Sequence, residues 1–336
     1  VLFVGEDEVI PVQAASHSEV PYSDLKYAST SGGSRPELVL GRIVGDDLGT
    51  LRKGLENSIS VARTGNGFDR QRAVLASGVG SGSGTFWEHI NDFDDRLNFA
   101  DVTRQRWTNY GTSAEILAAF APVVAEGQGL IVYRGHGNPQ VWTKGGIGIN
   151  IWGVDSLSLN GYHPFVFGLA CSTGNYRNVR SMPEAWLRRG AALYIGSVSN
   201  SERVQNGASG RAFFNRWGDD NSLTIGYADM ARDHWGEDSH WRKWIWQYHI
   251  FGDPKYGALP TLNVMTVTPT EPDGPLGAVQ VEIPDFVVTT DEAGLDYVEI
   301  PEGGDWFSPT DYIVPSWKVT YTYPQGQRVQ DVVLTA

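Results

Sequence analysis

The first 257 residues alternate between short apolar runs and longer segments in which apolar side chains recur at helical spacing. Short apolar runs bounded by glycine and polar residues are typical of buried strands, and the longer segments are typical of the helices that connect them. The alternation predicts an α/β fold with a mainly parallel sheet flanked by helices. Strands are predicted at 1–4, 38–40, 73–76, 129–133, 165–169 and 191–197, and helices at 48–62, 85–97, 113–125, 183–189, 210–217 and 223–248.

The pattern changes after Pro260. Valine and threonine alternate through residues 261–336, prolines interrupt them, and no helical period is present. Short alternating segments with prolines at their ends are typical of antiparallel strands in a small sandwich. We therefore expect two domains, 1–257 with the α/β sheet and 261–336 as a small β-sandwich.

Charge and hydropathy exclude several classes of partner. The chain has 336 residues, a net charge of −13 and a pI near 4.9, and it contains no basic stretch. Because nucleic acids and anionic membranes attract lysine and arginine, neither is an expected partner. No apolar run reaches the roughly 20 residues that a membrane-spanning helix needs. The chain opens directly on a strand-like run at Val1 without a signal peptide, which predicts a processed or trimmed fragment.

One cysteine and one histidine stand where apolar runs stop. Cys171 follows the run 165–170, and His136 lies just beyond the run 130–133. Taken alone, a single cysteine is more often a buried apolar side chain, and a loop histidine more often bonds to backbone. In parallel sheets, however, the carboxyl ends of strands face the ligand crevice, so neighbouring strands would bring thiol and imidazole to one edge.

This pairing predicts a cysteine peptidase. The imidazole of His136 would take the thiol proton, and the thiolate of Cys171 would act as the nucleophile. The backbone N–H groups of Gly137 and Cys171 would stabilise the developing oxyanion. No metal takes part in this chemistry, and the histidines His234 and His240 are spaced too far apart for two ligands on one helical face.

Two segments, Val132-Tyr-Arg-Gly-His-Gly137 and Phe165-Val-Phe-Gly-Leu-Ala-Cys-Ser-Thr-Gly174, resemble the histidine and cysteine motifs of the gingipain family of cysteine peptidases. Other segments resemble the family in the same order: Phe3-Val-Gly5, Tyr22-Ser-Asp-Leu-Lys-Tyr27, Leu40-Gly-Arg-Ile43, Met182-Pro-Glu-Ala185, Ala191-Ala-Leu-Tyr-Ile-Gly-Ser197 and Phe251-Gly-Asp-Pro254. The resemblance covers roughly residues 1–257.

The resemblance implies a caspase-like fold, endopeptidase activity on protein or peptide substrates, export from the cell or display on its surface, an immunoglobulin-like domain after the catalytic one, and bound structural calcium. No cofactor is required for catalysis. For calcium, Asp46-Asp47 and the group Asp92, Asp94 and Asp95 offer carboxylates, although solvated surface charge is the more common role of such groups.

Two departures from the family stand out. Gingipains have more chain before the strand that matches Phe3-Val-Gly5, so we expect an N-terminal fragment or propeptide chain as a partner. They also carry a glutamate that supports the catalytic histidine in the loop after the strand 73–76. Here that loop reads Ser77-Gly-Val-Gly-Ser-Gly-Ser-Gly84, and no carboxylate matches, so the third catalytic member stays open.

Specificity depends on which charged side chain faces the substrate. Gingipains use an aspartate near the start of the helix after the glycine-rich loop, where Glu88 is the nearest carboxylate in this chain. The loop after the strand 191–197 contributes Asn200, Glu202 and Arg203. If Glu88 or Glu202 points inward, cleavage follows arginine or lysine. If Arg203 does, cleavage follows an acidic residue. Because the relatives prefer basic residues, we expect arginine or lysine.

Two rival functions remain open at this stage. A transpeptidase of the same fold, resembling sortases in its reaction, would pass the acyl group to an amine instead of water. A non-catalytic adhesin or sugar-binding module would use some of the twelve tryptophans as a platform. Against the second, Trp241, Trp244, Ile245 and Tyr248 recur at the spacing of a buried helical face.

Overall fold

The computed structural model describes residues 1–254 apart from 16, 30–34, 65–70, 98, 178–179 and 221–233, together with six short strands between 264 and 335. The chain divides into two compact units, Val1–Ala258 and Leu259–Ala336. In the described part of the chain, no helix is both long enough and apolar enough to cross a membrane.

An eight-stranded sheet forms the centre of the first unit. In chain order, its strands and those of a small neighbouring sheet are β1 Leu2–Val4, β2 Gly41–Ile43, β3 Arg72–Ser77, β4 Asp101–Arg106, β5 Leu130–Arg134, β6 Gly137–Asn138, β7 Val141–Lys144, β8 Ile147–Asn150, β9 Phe165–Leu169, β10 Leu193–Ser197 and β11 Tyr248–Gly252. The large sheet has the order β1-β2-β11-β10-β9-β5-β3-β4, and β6 to β8 form the small one. Its neighbouring strands are parallel except for the antiparallel pair β10–β11.

Helices follow most strands of the large sheet. They are α1 Leu48–Thr64, α2 Ser83–Asp94, α3 Ser113–Ala125, α4 Ile151–Ser156, α5 Met182–Arg189, α6 Arg203–Asp220 and α7 Ser239–Gln247. Capping boxes begin two of them, Thr112 with Glu115 at α3 and Ser181 with Glu184 at α5, and each satisfies backbone N–H groups that have no partner inside the helix.

The core is apolar and rich in aromatic rings. Strands β5, β9, β10 and β11 are buried along their whole length, which is why their sequences are continuous apolar runs and not alternating ones. Tyr133 stacks on Trp142 with ring centroids 4.8 Å apart, and Trp142 also contacts Trp186. The predicted buried face of Trp241, Trp244, Ile245 and Tyr248 is confirmed, because all four are at most 9% exposed.

A buried ion pair ties the segment around Asp24 to the sheet. Arg42 on β2 is bidentate to Asp24, with both hydrogen bonds at 2.7 Å, and it also donates to the carbonyl of Gly5. Both charged side chains are almost fully buried. Removal of either partner would therefore leave an isolated charge in the interior.

Several predicted elements differ from the observed ones. Strand 38–40 is wrong in position, since β2 begins at Gly41. Of the predicted helix 223–248, the structure describes a helix at Ser239–Gln247, residues 235–238 are not helical, and Tyr248 begins a strand of the sheet; residues 223–233 lie outside the described residues. Strands β4 and β6 to β8 and helix α4 were not predicted.

The second unit is described only as three strand pairs. Strands β12 Val264–Val267, β13 Val279–Glu282, β14 Val287–Thr290, β15 Asp296–Glu299, β16 Lys318–Tyr321 and β17 Val332–Thr335 are paired as β12 with β16, β13 with β17 and β14 with β15. The first two pairs are parallel and the third is antiparallel. The β character of this region is as expected, but only the pair β14–β15 is antiparallel as predicted, and the immunoglobulin-like arrangement stays a prediction.

Candidate active site

Strands β5 and β9 are direct neighbours in the sheet. They pair in parallel from Leu130 opposite Phe165 to Arg134 opposite Leu169. His136 and Cys171 each come two residues after the last pair of this ladder, so both follow strands that end at the same edge of the sheet. Gly137 confirms how near the two chain segments lie, since a Cβ built on it would be 3.3 Å from the carbonyl oxygen of Cys171. The condition for a shared catalytic edge, neighbouring strands that end together, is therefore met.

The cysteine lies in a turn that the chain after β10 supports. Ser172 donates its N–H to the carbonyl of Ser199 at 2.8 Å, and its own φ of 55° is left-handed, a strained conformation for a residue other than glycine. The half-buried thiol of Cys171 donates to the carbonyl of Ser201 at 3.4 Å, while the Ser201 hydroxyl lies 3.9 Å from the sulfur. The sulfur thus stands between the β9 turn and the loop before α6.

The histidine is oriented by the glycine-rich loop. Its Nε2 lies 2.9 Å from the carbonyl oxygen of Ser81 and 3.4 Å from the Ser81 hydroxyl. Because a carbonyl oxygen only accepts, this contact places the ring proton on Nε2 and leaves Nδ1 as the basic nitrogen. Phe86 contacts the His136 ring edge-to-face at 5.2 Å, and the Tyr133 hydroxyl donates to the His136 carbonyl at 2.7 Å. The group that contacts Nε2 at 2.9 Å is thus a backbone carbonyl.

A buried arginine lies beneath this edge. Arg134 at the end of β5 donates to the carbonyl of Leu169 at 3.0 Å and to the carbonyl of Arg203 at 2.8 Å. It also donates to Nδ1 of His89 at 3.1 Å. Burial lowers the pKa of Arg134 to about 10 and, with Arg134 nearby, that of His89 to about 4, so the guanidinium stays charged and the imidazole neutral at pH 7. Sequence reasoning missed Arg134, although its place in the motif directly before Gly135 was visible.

The four residues predicted to bind substrate fall into two pairs. Asn200 and Arg203 lie at the catalytic edge: the Asn200 side chain accepts from the Ser172 hydroxyl at 3.5 Å, and Arg203 donates to the carbonyl of Ser81 at 3.4 Å. Glu202 turns away to α7, where it accepts from Lys243 at 2.9 Å and pairs with His240 at 2.8 Å. Glu88 is exposed on α2.

Glu88 belongs to a separate depression. It lines a cavity of about 460 Å³ together with His89, Asn91, Asp92, Asp95 and Arg211. The hydrogen bond from Lys243 lowers the pKa of Glu202. Neither carboxylate is therefore among the contacts of the cysteine and the histidine described above.

Three carboxylates from separate segments meet elsewhere in the first unit. The ligand oxygens of Glu6, Asp46 and Glu184 all lie within 4.8 Å of one another. Glu184 is fully buried, and its Oε2 has no hydrogen-bond partner; Oε1 of Glu6 is also buried without one. Burial, reinforced by the neighbouring carboxylates, raises the pKa of Glu184 to about 8 and that of Glu6 to about 7. A divalent cation fits these orphaned oxygens.

The other acidic groups considered for calcium have partners of their own. Asp92 pairs with Arg96 and Arg211, and Asp94 pairs with Arg104. Asp47 accepts from the backbone N–H of Thr50 in the first turn of α1. Of the two candidate groups, only Asp46 therefore contributes to a cluster with free acceptor oxygens.

Comparison with known proteins identifies relatives of the first unit. The sequence model described as Peptidase family C25 matches residues 1–257. No curated protein sequence matches the chain. The structure is similar to the crystal structure of the Arg-specific cysteine proteinase gingipain R, with a TM-score of 0.62 and 18% identity over 76% of this chain. This chain spans 62% of the length of that protein.

Two further solved structures are similar. One is the complex of the pro- and mature domains of RgpB from Porphyromonas gingivalis, with a TM-score of 0.64, 17% identity, and coverage of 90% of this chain and 77% of that one. The other is described only as a protease, with a TM-score of 0.62, 15% identity, and coverage of 89% and 74%. At these identities the likeness shows the fold, which is the mostly parallel, helix-flanked sheet of the gingipain and caspase-like proteins.

Proposed function

Because the chain belongs to Peptidase family C25, a family of cysteine peptidases, we propose that it is an endopeptidase in which Cys171 is the nucleophile and His136 the general base. The observation that carries the proposal is the register of β5 and β9, which brings positions 136 and 171 to one edge of the sheet. The contact of His136 Nε2 with the Ser81 carbonyl supports it, since that contact leaves Nδ1 to accept the thiol proton.

The chemistry then follows in two halves. The thiol proton of Cys171 passes to Nδ1 of His136, and the thiolate attacks the carbonyl carbon of the scissile bond, whose π electrons move to oxygen. The backbone N–H groups of Gly137 and Cys171 stabilise that oxyanion. When the C–N bond breaks, His136 returns its proton to the leaving amine. Water, deprotonated by His136, then hydrolyses the thioester and regenerates the thiol.

The expectation of arginine or lysine before the scissile bond required an inward carboxylate. Glu202 is engaged by Lys243 and His240, and Glu88 is exposed beside Arg211, so neither supports a basic specificity. The proposed reaction does not depend on these carboxylates. Of the predicted specificity residues, Arg203 is the charged one at the catalytic edge.

The family also suggests the setting of the enzyme. We propose that it acts outside the cell or at its surface, that a pro-segment or N-terminal fragment is its partner before activation, and that residues 261–336 form an immunoglobulin-like domain. The solved complex of pro- and mature domains of a structurally similar protease supports the second point. Structural calcium, which is not needed for catalysis, is proposed at Glu6, Asp46 and Glu184.

The transpeptidase alternative differs only in the acceptor of the acyl group. It predicts a ligated product when an amine such as a glycine peptide is added, whereas hydrolysis predicts only the two cleavage products. The sugar-binding alternative has one observation in its favour: Trp152 is 61% exposed and lines a cavity of about 550 Å³ with Asn138, Gln140 and Asn150.

The proposal is tested by digestion of a peptide library followed by mass spectrometry, with Cys171→Ser as the control. We expect cleavage by the unaltered chain, none by the variant, and no ligated product on addition of a glycine peptide. Cleavage by the serine variant at the unaltered rate would reject the assignment of Cys171.

A further inference from the structure

Arg203 lies directly after the loop whose Ser201 carbonyl accepts from the nucleophile. It begins α6, two residues after Ser201, whose carbonyl accepts from the Cys171 thiol at 3.4 Å. Its own carbonyl accepts from the buried Arg134, so the backbone at this point is tied to the end of β5. The side chain of Arg203 is exposed and therefore accessible to a substrate.

The guanidinium reaches across to the histidine side of the site. It donates to the Ser81 carbonyl oxygen at 3.4 Å, and Nε2 of His136 contacts that same oxygen at 2.9 Å. The Arg203 guanidinium and the His136 ring thus contact the same carbonyl oxygen. The guanidinium carbon also lies 5.8 Å from the centre of the Phe86 ring, which packs against His136.

The glycine-rich loop provides the room for this placement. A Cβ on Gly82 would lie 2.6 Å from the guanidinium carbon, so a larger residue there would displace Arg203. Gly84, at the start of α2, has open space where its side chain would be. The start of α2 carries small neutral residues, and the Arg203 side chain reaches this point from α6.

The charged side chain beside Ser81 and Phe86 is therefore positive, whereas a preference for arginine or lysine would require a carboxylate there. The contacts of the Arg203 guanidinium are a carbonyl oxygen and an aromatic ring, and the adjacent Glu202 is turned to Lys243 and His240. A guanidinium can bind a carboxylate through two parallel hydrogen bonds and repels a lysine or arginine side chain.

We propose that Arg203 selects substrates with aspartate or glutamate immediately before the scissile bond. The proposal rests on the catalytic role of Cys171 and His136. It makes Arg203 the specificity-determining residue, while the Asn200 side chain contacts Ser172 beside the nucleophile.

The test uses the full chain and peptides that differ only in the residue before the scissile bond: aspartate, glutamate, asparagine, alanine, lysine or arginine. We expect kcat/KM for the acidic peptides to exceed that for the lysine and arginine peptides by about 100-fold or more, because a site built for a hydrogen-bonding side chain discriminates strongly against one that leaves it unpaired. Iodoacetamide labelling of Cys171 is measured in parallel, since it reports the nucleophile independently of specificity.

Three variants make the test specific. Arg203→Gln should lose the preference for acidic peptides, and Arg203→Glu should favour the lysine and arginine peptides. Arg211→Gln is the matched control, because Arg211 lies on the same helix and pairs with Asp92. It should behave as the unaltered chain does.

The failures are distinguishable. Cleavage mainly after lysine or arginine by the unaltered chain, or an acidic preference that survives Arg203→Gln, overturns the assignment of Arg203 and leaves the peptidase intact. Failure to cleave any peptide together with an unreactive Cys171 overturns the proposed function, and the specificity with it.

Discussion

At the scale of single residues, the site depends on a thiol and an imidazole that act as one unit. Cys171→Ala and His136→Ala should each lower kcat/KM by roughly three orders of magnitude or more, and the double variant should be little worse than either single one. Far-UV circular dichroism should be unchanged because both side chains lie at an edge of the sheet and neither belongs to its core. If the double variant lost kcat/KM by the product of the two single losses, the two residues would not act as one unit.

The side chain of Arg134 offers a second prediction at this scale. Arg134→Met keeps much of the apolar length and removes the donors to the carbonyls of Leu169 and Arg203. Since each buried acceptor left without a donor costs about 1–3 kcal/mol, the free energy of unfolding should fall by several kcal/mol, and kcat should fall as the loops of the site loosen. Arg134→Lys keeps the positive charge but lacks the planar set of N–H donors of the guanidinium. It should therefore recover only part of the lost free energy of unfolding and of the lost kcat. Urea unfolding and peptidase assays measure both.

At the scale of elements, the glycine-rich loop between β3 and α2 positions His136 and makes room for Arg203. Gly82→Ala should lower kcat/KM for acidic peptides, because φ at Gly82 is 87° and the new Cβ would meet the Arg203 guanidinium. Gly84→Ala is the matched control: it adds the same methyl group in open space within a helix and should be neutral or slightly stabilising. Equal losses in the two variants would show that the loop has no such specific role.

The same scale shows what the amino-acid pattern can and cannot predict. Strand β9 was predicted with both ends correct because its two faces are buried, which makes the apolar run continuous. Strand β4 was missed because it lies at the edge of the sheet, and its sequence Asp-Val-Thr-Arg-Gln-Arg has no apolar run. The first residue of β11, Tyr248, was assigned to a helix because the aromatic spacing of α7 continues into it, and the rest of β11 was not predicted.

For the candidate site, the strand-end rule predicted the edge that holds His136 and Cys171. It could not predict that the histidine would be oriented by Ser81, because the contacting group is a backbone carbonyl that any residue possesses. Nor could the rule predict that Arg203 and Glu202, which are neighbours in sequence, would point in different directions. Their opposite orientations depend on Lys243 and His240, about 40 residues further along the chain.

At the scale of the whole molecule, the buried pair of Arg42 and Asp24 should govern stability. Arg42→Met leaves the Asp24 carboxylate buried without its partner, so the free energy of unfolding should fall by about 3–5 kcal/mol. The double variant Arg42→Met with Asp24→Leu should regain most of that loss, because no charge stays behind. Urea unfolding of the four proteins forms a double-mutant cycle, and strictly additive losses would contradict the coupling.

The carboxylate cluster predicts how stability depends on pH. The pKa values of Glu184, about 8, and Glu6, about 7, lie above the ordinary value of 4.5. The folded chain therefore retains protons that the unfolded chain releases, and this contribution is fully present below about pH 4.5 and is lost as the pH rises through 7 and 8. Glu184→Gln should flatten this decline in the melting temperature, whereas Glu115→Gln, in the other capping box, should leave it unchanged.

Added calcium should reduce this loss of stability at high pH. Because it binds deprotonated carboxylates, added calcium should raise the melting temperature by a few degrees at pH 8 and have little effect at pH 5. The gain at pH 8 should disappear in Glu184→Gln. An equal gain in that variant would place the cation elsewhere.

The order in which the site's parts appear along the chain has a consequence for the newly made protein. Ser81 follows β3, His136 follows β5, Cys171 follows β9, and the loop with Ser201 follows β10, so the base and its support are synthesised before the nucleophile and its cradle. Ser201, whose carbonyl accepts from the Cys171 thiol, is made 30 residues after the cysteine. If the proposed site is right, activity requires β3, β5, β9 and β10 to be docked together, so a chain that ends before residue 201 should be inactive.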